Sequence, residues 1–224
     1  MKDIVILGAG GFARETLWVI REDNEEKSKW NVLGFVDDNP KLDGAILCDV
    51  PVLGGFDWLE QNASKNFQVI SGAGNPHVRK AFAERAARLG LTFCSVIHPS
   101  ARMSRFVEIG PGTIITAGNI LTTQIRLGAH TLLNLDCTVG HDTSIGAYCN
   151  INPGCHISGT VKFGEGVDFG TGAVILQGRC VGEWSIIGAG AVVTEDLPAH
   201  VTAVGMPCRV IKRHQLESSL AAHT

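Results

Sequence analysis

The sequence predicts a two-part chain, a small Rossmann-like α/β unit with a parallel sheet followed by a parallel β-helix. Three observations carry that prediction. Strand and helix signals alternate up to about residue 95. From Ile97 a bulky apolar residue then falls at every sixth position as far as Val193, without an insertion. The 27 glycines are dense, and many of them keep step with that period.

In the first part, Ile4 to Leu7 is a short apolar strand that runs into Gly8-Ala9-Gly10-Gly11, and a helical stretch follows from about Phe12 to Glu22. A second strand, Val32 to Val36, ends at the turn cluster Asp37-Asp38-Asn39-Pro40. Phe67 to Ile70 is a third strand, closed by Ser71-Gly72-Ala73-Gly74-Asn75. Pro76 suits the first turn of a helix that continues to about Leu89, where Gly90 stops it. This is βαβ logic, a parallel sheet with helices on its faces.

In the second part, the sixth-residue series is Ile97, Met103, Ile109, Ile115, Leu121, Leu127, Leu133, Val139, Ile145, Ile151, Ile157, Phe163, Phe169, Ile175, Val181, Ile187 and Val193. Neither a helix nor an ordinary strand has a period of six, whereas a hexapeptide β-helix does. Each hexad is expected to form one side of a triangular prism with its apolar residue inward. Four positions on, a small or β-branched residue also faces inward, as at Thr113, Cys137, Cys149, Cys155 and Ala173. Glycine is expected to relieve the corner at 110, 128, 140, 146, 164, 170, 182 and 188. Three hexads make an 18-residue coil, so the prism should hold five to six coils and measure about 28 Å at one strand spacing per coil. The expected division is 1–95 for the α/β unit, 96–198 for the β-helix and 199–224 for a C-terminal tail.

A net charge of −3 gives no basis for a nucleic-acid or anionic-membrane partner. The N-terminal apolar run is too short for a signal-peptide core and no later stretch could span a bilayer, so a cytoplasmic location is expected. Seven cysteines without a C-x-x-C pair fit a reducing compartment, and inward packing explains three of them. Gly8-x-Gly10-x-x-Ala13, after a strand and before a helix, meets the requirements of a phosphate-binding turn.

The hexads, the tail segment Val204-Gly205-Met206-Pro207-Cys208-Arg209-Val210-Ile211-Lys212 and the N-terminal Gly8-Ala9-Gly10-Gly11-Phe12-Ala13-Arg14-Glu15 together resemble one family of sugar acyltransferases. It comprises left-handed β-helix sialic-acid O-acetyltransferases and bacillosamine or perosamine N-acetyltransferases. The tail is similar to the family's G-x-P-A segment, with Cys208 where alanine is usual. The resemblance implies a homotrimer with acetyl-CoA, a co-substrate and not a tightly bound cofactor, in the groove between neighbouring β-helices. It implies a nucleotide-sugar on the N-terminal unit, with a 4-amino-4,6-dideoxy sugar as the usual acceptor, in bacterial surface-glycan biosynthesis.

Acetyl transfer requires a base for the acceptor proton and donors for the oxyanion of the acetyl carbonyl. Val139-Gly140-His141-Asp142 resembles the family's G-H-[DE] segment, which makes His141 the general base and Asp142 its supporting carboxylate. Gly159 follows His141 by 18 residues and so stacks on it, offering a backbone N–H as an oxyanion donor. Thr171 and Ala189 match positions that hold the pantetheine arm. Asn150 stands where many relatives carry a second histidine at the acetyl group, and Asn134 resembles a further family asparagine. Gly10, Gly11, Phe12, Asp37, Asp38 and Gly74 match the family's nucleotide-sugar contacts, although turn chemistry also accounts for the Asp pair.

Other functions make distinct demands. A zinc carbonic anhydrase on this fold needs three convergent histidines, and the spacings here, 130 to 141 and 141 to 156, do not suit it; no metal site is expected. A nucleotidyltransferase fusion needs a longer N-terminal unit, and an NAD-linked oxidoreductase needs a second mononucleotide half. O-acetylation of sialic acid or a related sugar, and a non-catalytic nucleotide-binding trimeric scaffold, stay open.

Overall fold

A computed structural model describes residues 1–214 of the chain; the last ten residues of the expected tail, 215–224, lie outside the described residues. The N-terminal unit contains β1 (Lys2–Leu7), α1 (Gly11–Lys27), β2 (Trp30–Val36), β3 (Ile46–Leu47), β4 (Val50–Gly54), α2 (Phe56–Asn62), β5 (Phe67–Ser71), α3 (Pro76–Arg88) and β6 (Thr92–Phe93). Its sheet runs β3-β4-β2-β1-β5-β6 and is parallel except for the β3–β4 pair. Alternation along β1 decides which layer each residue joins. Ile4 and Ile6 pack with Ala13, Leu17 and Ile20 of α1, while Val5 and Leu7 pack with Phe56 and Leu59 of α2 and Ala86 of α3. Strands β3, β4 and β6 extend the sheet beyond the three strands that the sequence predicts, and helix α2 is a further addition.

The left-handed β-helix starts at Val96–Ile97 and places its strands on three faces. The first face stacks Val96–Ile97, Ile114–Ile115, Leu132–Leu133, Asn150–Ile151, Asp168–Phe169 and Ile186–Ile187. The second runs from Arg102–Met103 through Thr138–Val139 and His156–Ile157 to Val192–Val193, and the third from Val107–Ile109 to Cys180–Val181. Pairing joins residues 18 apart from Val96 to Val193, as in Leu121 with Val139 and Ile151 with Phe169, and the spacing falls to 16 where Ile187 meets Ala203. The predicted inward residues from Ile115 to Val193 fill one continuous core, and Cys137, Cys149 and Cys155 are fully buried within it.

The corner assignment needs a correction. The recurrent glycines have no left-handed φ; they allow neighbouring coils to touch. A Cβ on Gly140 would lie 2.6 Å from the nitrogen of Gly159, and one on Gly110 would lie 2.5 Å from that of Ala129. The chain turns two residues later, at positions with φ near +55° to +75°: Gln124, His130, Asp136, Asp142, Tyr148, Thr160 and Trp184, with glycine at 112, 118, 154, 166, 172, 178 and 190. Asparagine, aspartate and glycine tolerate that region best.

The N-terminal unit sits on the first face. Val96, Ile114 and Leu132 point outward there, and they are buried in the same cluster as Leu17 and Ile20 of α1. Higher on that face the outward residues become Asn150 and Asp168, opposite the start of α3. The described residues close with an antiparallel pair, Val201–Val204 with Arg209–Arg213, of which the first strand continues the first face beside Ile186–Ile187.

Candidate active site

His141 and Asp142 occupy the edge between the second and third faces, immediately after the strand Thr138–Val139. The left-handed φ of Asp142, +58°, is the corner turn itself. It swings the carboxylate beside its neighbour's ring, where Asp142 Oδ2 lies 2.7 Å from His141 Nδ1. Both side chains are about half exposed. With Nδ1 donating to the carboxylate, Nε2 carries the free lone pair, as a general base requires.

Gly159 lies buried under that ring. A Cβ there would come within 2.5 Å of His141 Nε2 and 2.7 Å of Cε1, so only glycine leaves the imidazole its place. The register is fixed from both sides of the turn: Thr160 N donates to His141 O at 2.7 Å and Asp142 N donates to Thr123 O at 3.1 Å. The N–H of Gly159 has no acceptor among the described residues. It shares this with the N–H groups of Thr123, Ala129 and His141 at equivalent corner positions, so its distinction is the ring packed against it.

Thr171 and Ala189 are exposed and stack on each other at a different edge, between the first and second faces. One full side of the prism separates that edge from His141, at most about 20 Å of extended chain. Within one chain the structure therefore does not bring the expected pantetheine contacts to the expected base.

At the other expected site, Gly10, Gly11, Phe12, Asp37 and Gly74 come together at the carboxyl ends of β1, β2 and β5. A Cβ on Gly74 would lie 3.8 Å from that of Phe12. Asp37 accepts from Ala9 N at 2.8 Å and from Asn39 N at 2.9 Å, which ties the β1–α1 turn to the end of β2. Helix α1 begins without a side-chain cap and with open space above Gly10 and Gly11. Helix α3, in contrast, is capped by Asn75, whose Oδ1 accepts from His77 N and Val78 N. Free N–H groups at a helix start are a ready anion site, and α1 is the helix that offers them.

Two expected contacts are engaged elsewhere. Asp38 turns away to accept from Phe56 N at 2.8 Å, and it pairs with Arg85 Nη1 at 2.7 Å. Burial would raise its carboxyl, but the Phe56 N–H and the Arg85 guanidinium outweigh it and hold the group below the usual aspartate range. Asn150 is buried on the first face, away from the His141 edge. Its Oδ1 accepts from Arg79 Nη2 at 2.7 Å and its Nδ2 donates to Gly74 O, so its carboxamide is spent between the two units and is not free to meet an acetyl group. Asn134 bonds locally, accepting from Leu135 N. Sequence reasoning missed Arg79 altogether. The available signal was an arginine on the buried stripe Pro76, Arg79, Ala83 and Ala86 of α3.

Among the described residues, no group of three or more His, Cys, Asp or Glu converges as a metal site, and no helix is long and apolar enough to cross a membrane.

Residues 3–86 match the family model of the PglD N-terminal domain. A perosamine N-acetyltransferase, PerB from Caulobacter crescentus, solved with CoA and GDP-perosamine, is 30% identical with a TM-score of 0.87, over 95% of this chain and 98% of that one. WeeI from Acinetobacter baumannii AYE is 32% identical with a TM-score of 0.84, over 94% and 100%. The acetyltransferase domain of PglB from Neisseria gonorrhoeae FA1090, solved with acetyl coenzyme A, is 29% identical with a TM-score of 0.87, over 94% and 99%. Curated relatives match over shorter stretches: the galactoside O-acetyltransferase of Escherichia coli (strain K12) is 54% identical over 39 residues, 17% of this chain and 19% of that protein. The chain spans about a quarter of the length of the first curated relatives that it matches. With its N-terminal unit, its β-helix and nearly its whole length shared with these structures, the chain belongs to the PglD- and PerB-like family of left-handed β-helix sugar acetyltransferases.

Proposed function

We propose that this protein transfers the acetyl group of acetyl-CoA to the amino group of a nucleotide-linked sugar of the 4-amino-4,6-dideoxy class. The observation that carries the reading is the His141–Asp142 pair with Nε2 free above Gly159. The sugar amine attacks the thioester carbonyl while Nε2 accepts its proton. The Gly159 N–H steadies the oxyanion. As the tetrahedral intermediate collapses, the C–S bond breaks and the imidazolium returns the proton to the departing thiolate. PerB was solved with CoA and GDP-perosamine, and two further structures of that enzyme carry a histidine replacement, which supports assigning the chemistry to a histidine.

Within one chain the acceptor loops lie over the first face, whereas His141 lies on the edge opposite that face. We therefore infer a composite site in a homotrimer. One copy supplies Gly10, Gly11, Phe12, Asp37 and Gly74 for the nucleotide-sugar and the Thr171–Ala189 edge for the pantetheine arm. Its neighbour supplies His141, Asp142 and Gly159. Closed cyclic assemblies are the usual solution for such head-to-tail contacts. A cytoplasmic setting fits the seven free cysteines.

The test is thiol release from acetyl-CoA against a panel of UDP-, GDP- and dTDP-linked amino sugars, each beside its hydroxyl counterpart. One amino sugar should be turned over far faster than its hydroxyl analogue. Preference for the hydroxyl compounds would make the protein an O-acetyltransferase, and no release with any of them would favour a scaffold. Light scattering should give three copies, and a monomer at micromolar concentration would overturn the composite site.

A further inference from the structure

Arg79 is 1% exposed, yet no carboxylate among the described residues touches it. Its guanidinium is satisfied by carbonyls from both parts of the chain. Nη1 donates to Ala73 O at 2.8 Å and Gly74 O at 3.3 Å, on the acceptor loop. Nε donates to His130 O at 2.8 Å and Nη2 to Tyr148 O at 2.8 Å, on the β-helix. Nη2 also reaches Asn150 Oδ1, and Asn150 Nδ2 returns to Gly74 O. On the far side of Asn150, Asp168 Oδ1 lies 3.5 Å from Nδ2 and accepts from Asn152 Nδ2 at 2.7 Å. Burial lowers the Arg79 pKa to about 10, and Asp168 is among the groups that oppose the shift. The cation persists at neutral pH with its counter-charge held one amide away.

The same turn of α3 carries two further ties: Lys80 pairs with Glu165 at 2.8 Å and His77 stacks on Trp184 at 4.5 Å. The contact between α1 and the first face is mainly apolar and therefore largely non-directional, its polar part being the long 3.9 Å approach of Glu22 Oε2 to His98 Nε2. The directional bonds gather on the turn that follows Gly74, and an apolar contact alone does not fix register.

We propose that Arg79 and Asn150 are positioning residues that lock the Gly74 loop of the acceptor site to the β-helix. They set the height at which the sugar amine meets the acetyl group. The inference rests on the acceptor nucleotide lying against Gly10 and Gly74. Asn150→Asp isolates the effect, because a carboxylate at this position still accepts from Arg79 but loses the donor to Gly74 O and opposes that carbonyl.

The acceptor KM of Asn150→Asp should rise about tenfold, the size of one lost buried hydrogen bond. Its kcat should fall, and its acetyl-CoA KM should stay as in the native protein. Arg79→Lys, which keeps the charge but not the fork, should show the same split in milder form. An unchanged acceptor KM in Asn150→Asp, with only a lower melting temperature, would reduce the clamp to a structural tie and overturn the proposal. An equal rise in both KM values would overturn it as well. Gly10→Val separates this from failure of the functional reading, since open space surrounds that Cβ and the variant should fold. If Gly10→Val leaves the acceptor KM unchanged, the acceptor site itself is misplaced. If it raises that KM while Asn150→Asp does not, the clamp alone fails.

Discussion

The α/β unit and the β-helix bury apolar surface in opposite ways. In the first, two clusters lie on either side of one sheet, and each residue's partners come from distant parts of the sequence. In the second, a bulky residue and a small one from each hexad fill a single column, and strand partners stand 18 positions away from Val96 to Val193. The consequence for function is direct. The repeat makes most outward positions interchangeable, so chemistry shows as a departure from it: a His-Asp corner and a glycine out of its usual slot. The α/β unit has no such background, and its site is defined by loops that only the fold brings together.

The sharpest way to break this comparison is to disturb spacing. Inserting one alanine between Gly154 and Cys155 should turn every later inward residue out of the core. Loss of soluble, cooperatively melting protein is expected. The same insertion after Gly44, in the exposed turn before β4, should shift the melting temperature by only a few degrees. Similar melting curves for the two would mean that the β-helix tolerates slippage.

The next effect falls on the chemistry. His141→Asn should lower kcat by about 10²–10⁴-fold, the typical loss of a general base, while both substrates still bind. The rising limb of the kcat/KM pH profile should vanish with it. Asp142→Asn should do less, because it removes the ring's orienting partner and leaves the base. Full kcat in His141→Asn at neutral pH would assign proton removal elsewhere.

Gly159→Ala probes the same edge with one methyl group. Since that carbon would lie 2.5 Å from Nε2, the ring must shift, and displacements of about 1 Å can cost up to about 100-fold in rate. The melting temperature should hold, because nothing in the prism core changes. A variant with native kcat would show that the ring's seat is immaterial to catalysis.

The sequence carries the β-helix almost completely because a period of six is itself the geometry. The family's G-H-[DE] resemblance singles out the candidates His141 and Asp142, and stacking converts a difference of 18 into the contact with Gly159. The corner glycines mislead: their positions recur visibly, but close coil contact and a left-handed turn leave the same compositional mark. Pro51 and a two-residue partner strand conceal β4 and β3, since a proline argues against a strand and two residues are too few to show alternation. The expectation for Asn150 follows from the family resemblance, and what engages its side chain instead is Arg79, 71 residues earlier. A bond of that kind depends on how two units dock, which no local pattern encodes.

The antiparallel pair that closes the described part of the prism has a further consequence. A stack of parallel strands presents, at its last coil, a row of unpaired backbone groups onto which another chain could add, as in fibril growth. Here the chain reverses after Val201–Val204 and lays Arg209–Arg213 alongside it, so the final strand runs against the direction of the stack. That strand exposes Lys212 and Arg213, and charged side chains make an edge a poor template for a further strand. Among the described residues, the reversal thus breaks the parallel register of the stack at this end of the prism.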